Sequence, residues 1–259
     1  MANNYDVHQG ISDLAKNNTI SDEARGHFTK GSNRTEELPE MDAVPTDPVF
    51  LTVLIDSSGS MDVCKEAVLE SHPLMLNVLR ESQIAGLDAL FVKQDLFNTS
   101  RQKLNSFTPL SSDEGSDNVT ILTSSNYSPD GGTALYKTLH SSLQDLLVML
   151  SYAQKNDLKP QASVALITDG KDTEGEVDPR VIRNLLQELR EQKILKSCVL
   201  IGLLNSNLTQ VELEEIRNKL GFDTCINCGQ DSDREIRQAF IMGSHAIAAG
   251  SKSTGRTIS

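Results

Sequence analysis

Tryptophan is absent and only 4% of the 259 residues are aromatic, so the interior has to be packed from aliphatic side chains, for which an apolar content of 38% suffices. No apolar stretch reaches the length of a membrane span, and none is expected to cross a bilayer. The amino terminus, Met1-Ala2-Asn3-Asn4-Tyr5-Asp6, lacks both the basic segment and the apolar core of a secretory signal, which leads to the expectation of a cytoplasmic protein. Basic residues are in the minority: 24 Lys and Arg against 36 Asp and Glu give a formal charge of −12, which argues against a nucleic-acid partner and suits a cation site. Cysteine is too sparse for a disulfide framework. Of the four, Cys64 and Cys198 sit in apolar surroundings as small buried hydrophobes. Cys225 and Cys228 have the spacing of half a zinc site or of a redox pair, but no second pair accompanies them, and they are expected to be dispensable.

What the chain does contain is a nearly unbroken apolar run, Phe50 to Ile55, closed by Asp56-Ser57-Ser58-Gly59-Ser60. A buried parallel strand reads as such a run, and open α/β sheets place ligands at the carboxyl ends of their strands. One carboxylate and hydroxyls spaced two apart make an oxygen-rich turn suited to a hard divalent cation such as Mg2+ or Mn2+. A second loop, Asp130-Gly131-Gly132-Thr133, precedes an apolar-periodic helix; its glycines let backbone pass close to an ion, and Thr133 adds a hydroxyl at the helix start. A third, Thr168-Asp169-Gly170, closes another buried-strand run beginning at Ala162. If the two strands are neighbours, Asp169 lies near Asp56.

Asp-x-Ser-x-Ser, Gly-Gly-Thr and Thr-Asp-Gly, in this order and each after the right kind of element, resemble the von Willebrand factor A domain, over roughly residues 47 to 250. The resemblance implies a metal-ion-dependent adhesion site. In it Ser58, Ser60 and Thr133 would contact Mg2+, with Mn2+ as a substitute, and Asp56 and Asp169 would hold the ion directly or through water. The single-domain outline also resembles bacterial intracellular members associated with tellurite and stress resistance.

The periodicity predicts a doubly wound, mostly parallel α/β sheet flanked by helices. Residues 1–46 are polar and end in Pro39, Pro45 and Pro48, which predicts a disordered or weakly ordered arm in which His8, Ile11 and Leu14 could seed a short helix. Residues 47–250 form the domain, and 251–259 a flexible tail. Helices are expected at about 65–82, with a kink or restart at Pro73, and at 134–153, 179–192, 209–220 and 231–249. Strands are expected at 87–97, 119–123, 162–168, 197–204 and 223–227, with a polar connection at 98–118. The acidic loop from Asp169 to Asp178 should cap the next helix through Asp178, and could also form a rim that selects partners.

The five site residues include no His, Cys or Lys, and His8, His27, His72, His140 and His245 are scattered, so no nucleophile and base pair is apparent and the protein is not expected to be an enzyme. The expected function is protein binding, with a partner's Asp or Glu completing the metal's octahedron. Two rivals stand beside it. A Mg2+-dependent phosphohydrolase or phosphotransferase of haloacid dehalogenase type would also use a strand-end Asp and a later Asp-Gly-x-x-Asp, matched by Asp169 to Asp172, but Ser58 stands where that family places an acid. A structural module with a vestigial metal site is the other.

Overall fold

The computed structural model describes residues 3–38, 47–82, 90–111 and 118–252. The chain opens with β1 (Asn3–Asp6), α1 (Val7–Lys16), α2 (Asp22–Phe28) and β2 (Thr35–Leu38), the two strands pairing antiparallel. There follow β3 (Val49–Asp56), a 3-10 turn at Gly59–Cys64, α3 (Lys65–Arg80), β4 (Leu90–Phe97) and β5 (Arg101–Pro109). The remainder alternates: α4 (Leu135–Lys155), β6 (Gln161–Thr168), α5 (Pro179–Glu191), β7 (Leu195–Leu204), α6 (Gln210–Leu220), β8 (Thr224–Gly229) and α7 (Asp233–Lys252).

The main sheet runs β5-β4-β3-β6-β7-β8, parallel except for β5. Every residue of β3 is buried, because successive side chains alternate between two helical layers. Phe50 and Leu54 join the layer of α1, α4, α5 and α6, whereas Leu51, Val53 and Ile55 join that of α3 and α7. From β3 the chain winds outward through α3 to β4, and later in the opposite direction through α5 and α6 to β8. The expected doubly wound α/β fold is therefore observed, and its switch point lies between β3 and β6, where such folds open a crevice at the strand ends. Among the described residues no helix is long and apolar enough to cross a membrane.

Local signals explain most element ends. Thr209 and Glu212 form a reciprocal capping box on α6, Asp178 caps α5 ahead of Pro179 as expected, and α3 continues through Pro73. Two expectations fail. Val119 to Thr123 is not a strand; its backbone is taken by side chains, with Leu122 N–H donating to His72 Nδ1 (3.3 Å) and Gln94 Nε2 donating to the Thr120 carbonyl (2.7 Å). The extra strand is β5, inside the segment read as a polar connection: as the sheet's edge it leaves Gln102 and Lys103 exposed and so carries no apolar run. Residues 87–89 and 253–259 lie outside the described residues, while Ser251 and Lys252 continue α7 rather than beginning a tail.

The N-terminal arm is the larger correction. Residues 3–38 are folded onto the domain: Val7, Ile11, Leu14, Ile20, Ala24 and Phe28 are buried in the same apolar layer as α4. Arg34 Nη2 donates to Asp145 Oδ1 (2.7 Å) and to the Ser141 carbonyl (2.8 Å), and Lys103 pairs with the buried Glu36 (2.6 Å). Asp145 is shared with Lys93 and Arg101, which also face Asp95. The segment is too polar to make a core of its own and borrows the face of α4.

Candidate metal centre

Parallel pairing of β3 with β6 aligns Ile55 with Ile167, which brings Asp56 beside Thr168 and sets Asp169 one residue beyond. Both Asp56 oxygens are engaged: Thr168 Oγ1 donates to Oδ2 (2.6 Å) and the Ser58 N–H to Oδ1 (2.8 Å), the self-bonding that Asp uses to form a tight turn. The Ser58 hydroxyl lies 3.3 Å from that of Ser60, and Ser60 Oγ donates to Asp169 Oδ1 (2.9 Å). Four predicted residues thus form one hydrogen-bonded chain from β3 to β6.

The second loop is tied to the first. Asp130 N–H donates to the Ser57 carbonyl (2.8 Å) and Gly59 N–H to the Gly131 carbonyl (3.0 Å). Gly131 holds a left-handed backbone (φ +72°) that favours glycine, and a Cβ on Gly132 would stand 3.0 Å from Thr173 Oγ1, a contact that would push that hydroxyl aside. The backbone of Thr133 is held by Thr173 through two bonds: its N–H donates to Thr173 Oγ1 (2.9 Å) and its carbonyl accepts from Thr173 N (2.8 Å). Its hydroxyl faces the third loop, 3.4 Å from where a Cβ on Gly170 would stand. All five sequence-predicted residues gather at the switch point. The helix itself starts later than expected, with Ala134 rather than Thr133 at its cap.

Asp56 and Asp169 are fully buried, and among the described residues neither pairs with a Lys, Arg or His. Burial pushes the Asp56 carboxyl up to about 6, against the hydrogen bonds from Thr168 and Ser58, and the neighbouring Asp169 adds to the rise. Burial raises Asp169 too, opposed by bonds from Ser60, Gln230 and Asn205. Two buried carboxylates without a counter-ion are costly, and a cation would offset that cost. Among the described residues no three His, Cys, Asp or Glu cluster into a metal site. The donors here are two carboxylates and three hydroxyls, an all-oxygen set that fits Mg2+ or Mn2+ and not a soft metal.

Sequence reasoning missed the residues that hold these donors. Gln230 Nε2 donates to Asp169 Oδ2 (2.9 Å) and to the Ser60 carbonyl (2.8 Å), and Asn205 Nδ2 donates to Asp169 Oδ2 (3.0 Å) and to Gln230 Oε1 (2.9 Å). The Tyr127 hydroxyl donates to the Asp56 carbonyl (2.8 Å). Their only sequence signal is position: Asn205 and Gln230 each follow a strand of the sheet, where ligand loops sit. Asp172 accepts from Tyr136 N (3.1 Å) and Gly175 N (2.7 Å), so the acidic loop is built onto the start of α4 rather than being solvated throughout. Cys225 and Cys228, three apart on β8, fall on opposite faces of the sheet, one against each apolar layer, and cannot ligate one ion together.

No protein-family model matches the chain, and no curated protein matches it. Among solved structures it is similar to the PilB minor pilin from Streptococcus sanguinis, at 17% identity and a TM-score of 0.54, over 79% of this chain and 62% of that one. It is also similar to the open conformation of the pilus adhesin SpaC from Lactobacillus rhamnosus GG, at 12% identity and a TM-score of 0.51, over 83% of this chain and 31% of that one. These two likenesses concern the fold, and this chain spans less than two thirds of either protein. A looser likeness, with a TM-score of 0.46 at 15% identity over 77% of this chain and 46% of the other, is to proximal thread matrix protein 1 from the mussel byssus with a zinc-occupied MIDAS motif.

Proposed function

We propose that this chain is a von Willebrand factor A-type binding domain whose three strand-end loops hold Mg2+ or Mn2+ and which engages a protein partner through that partner's Asp or Glu. The observation that carries the reading is the pair of buried carboxylates, Asp56 and Asp169, joined through Ser58 and Ser60 and, among the described residues, with no cationic side chain paired to them. The hydroxyls of Ser58, Ser60 and Thr133 would hold the ion, with Asp56 and Asp169 bound to it directly or through water. When bound, the ion supplies an electrophilic position for a carboxylate. The chain's own part is positioning. Thr168 orients Asp56, Gln230 and Asn205 orient Asp169, and Thr173 fixes the backbone of Thr133.

No catalytic step is included in this reading. The nearest thiol, Cys64, accepts from Gln230 Nε2 (3.6 Å), and burial pushes it up to about 11, so it stays protonated and a poor nucleophile at neutral pH. The phosphohydrolase alternative is not favoured, because Ser58 replaces the acid it needs and both oxygens of its would-be nucleophile, Asp56, are taken by hydrogen bonds.

The test is thermal unfolding with Mg2+ and with chelator, for wild type and Asp56→Ala. Mg2+ at a hundredfold its dissociation constant should stabilise wild type by about 2.7 kcal/mol and leave the variant unchanged. Superimposable wild-type curves across millimolar Mg2+ would sink the metal claim. A captured partner that is indifferent to chelator and to loss of its own acidic residues would sink the carboxylate claim.

A further inference from the structure

The opposite pole of the sheet, at the start of β6 and β7, holds a second polar feature. A cavity of about 460 Å³ opens there, and its wall carries Lys159, Lys193 and Lys196 with Asp47 as the single acid among its described lining residues. Three lysines against one acid is a local reversal in a chain of net charge −12. Among the described residues none of the three ammonium groups has an ion-pair or hydrogen-bond partner, whereas the nearby Lys155 is paired with Asp13. Lys196 is half-buried, and burial together with the closeness of Lys193 lowers its pKa, only partly opposed by the charge of Asp47.

Two features of the wall bear on the site. Lys193 holds a left-handed backbone (φ +60°) at the turn from α5 into β7, where glycine is the unstrained choice. Gln161, also on the wall, has its Oε1 buried with no hydrogen-bond partner, an acceptor awaiting a donor. The C-terminal end of α5 favours a nearby cation, but that effect fades within the last turn. It accounts for Lys193, and not for Lys196, Lys159 or the unsatisfied amide.

We propose that this cavity is a binding site for a phosphate group carrying a hydrogen-bond donor, a phosphate monoester being the simplest such species. The lysines supply charge-assisted donors to its oxygens, and Gln161 Oε1 accepts from its protonated oxygen or an adjacent hydroxyl. Cavities of about 300–1,000 Å³ are the usual size for small ligands. Gln161 and Asp169 bracket the eight residues of β6, about 25 Å of extended strand, so the site is separate from the metal centre.

The phosphate could belong to a soluble monoester or to a lipid headgroup, and the experiment separates them. Wild type and the double variant Lys193→Gly with Lys196→Gln are titrated calorimetrically with glycerol 3-phosphate, against sodium chloride at equal ionic strength, and co-sedimented with phosphatidylcholine vesicles with and without phosphatidic acid. Glycine suits the left-handed position, and an unchanged circular dichroism spectrum with cooperative thermal unfolding verifies the variant's fold; Lys159→Gln alone, on an exposed side chain, serves if the double variant does not fold. Saturable binding of the monoester, weakened roughly tenfold or more by the substitutions, supports the site with a soluble ligand. Binding only to phosphatidic acid vesicles, lost in the variant, supports it with a lipid headgroup. Wild type that answers neither probe beyond chloride, or a variant that binds as wild type does, overturns it.

Discussion

The hydroxyl of Ser60 donates to Asp169 Oδ1 at 2.9 Å although the two residues are 109 apart in the chain. That bond closes the first strand-end loop onto the third, so the geometry of either depends on the other. It also supplies a neutral donor to one of two buried acids, which opposes the rise that burial imposes on the Asp169 pKa.

The first consequence is a dependence of metal-free stability on pH. Burial raises the Asp56 pKa from 3.8 to about 6, so the folded chain holds the proton more tightly than the unfolded one. The contribution is complete below the unfolded value and is lost as pH rises through about 6, amounting to about 3 kcal/mol in all. Denaturant unfolding in chelator, at about pH 5 and about pH 7.5, should show wild type losing stability relative to Asp56→Asn as pH rises. A difference that stays constant across that range would contradict the assignment. Mg2+ binding should show the opposite trend, weakening below about pH 6 as protons compete for Asp56.

Thr133 offers a sharper probe of the metal. Its backbone holds Thr173 whatever its side chain, so Thr133→Ala should change unfolding free energy by less than about 1 kcal/mol while weakening Mn2+ binding measured by paramagnetic resonance. Thr133→Ser should restore binding. Equal affinity in all three proteins would remove Thr133 from the site.

Gln230 tests the support beneath the carboxylates. Gln230→Ala strips donors from Asp169 Oδ2 and from the Ser60 carbonyl, and should cost about 1–3 kcal/mol in urea unfolding. Because Asn205 is then left as the side-chain donor to Asp169 Oδ2, the Mg2+-induced stabilisation should shrink as well. An unchanged Mg2+ response would make Gln230 a packing residue only.

Phe28 reports on the N-terminal segment. It is fully buried and stacks on His140, with ring centroids 4.3 Å apart. Phe28→Ala should therefore cost about 3–5 kcal/mol, whereas in a loose arm the same change would be nearly silent. A melting temperature within error of wild type would show that residues 3–38 are not part of the cooperative unit.

The sequence by itself determined the elements whose signals are local. Buried parallel strands announce themselves as apolar runs, which is why β3, β6 and β7 were legible to within a few residues. Amphipathic helices with a cap or a proline start, such as α5 and α6, were equally plain. The three ligand loops were readable for the same reason: Asp56, Thr133 and Asp169 each stand at or just beyond the end of a strand or before a helix, among turn-forming neighbours. Only the tertiary structure decided what depends on partners distant in sequence. The polar segment around α1 and α2 folds because α4 offers it an apolar face and Asp145 a buried charge for Arg34. As an edge strand, β5 needs pairing from β4 and no apolar run of its own. Asn205 and Gln230 are unremarkable amides until β7 and β8 carry them to Asp169. The raised pKa of Asp56 likewise belongs to no local motif, since it arises from the depth at which packing of both helical layers buries that carboxyl.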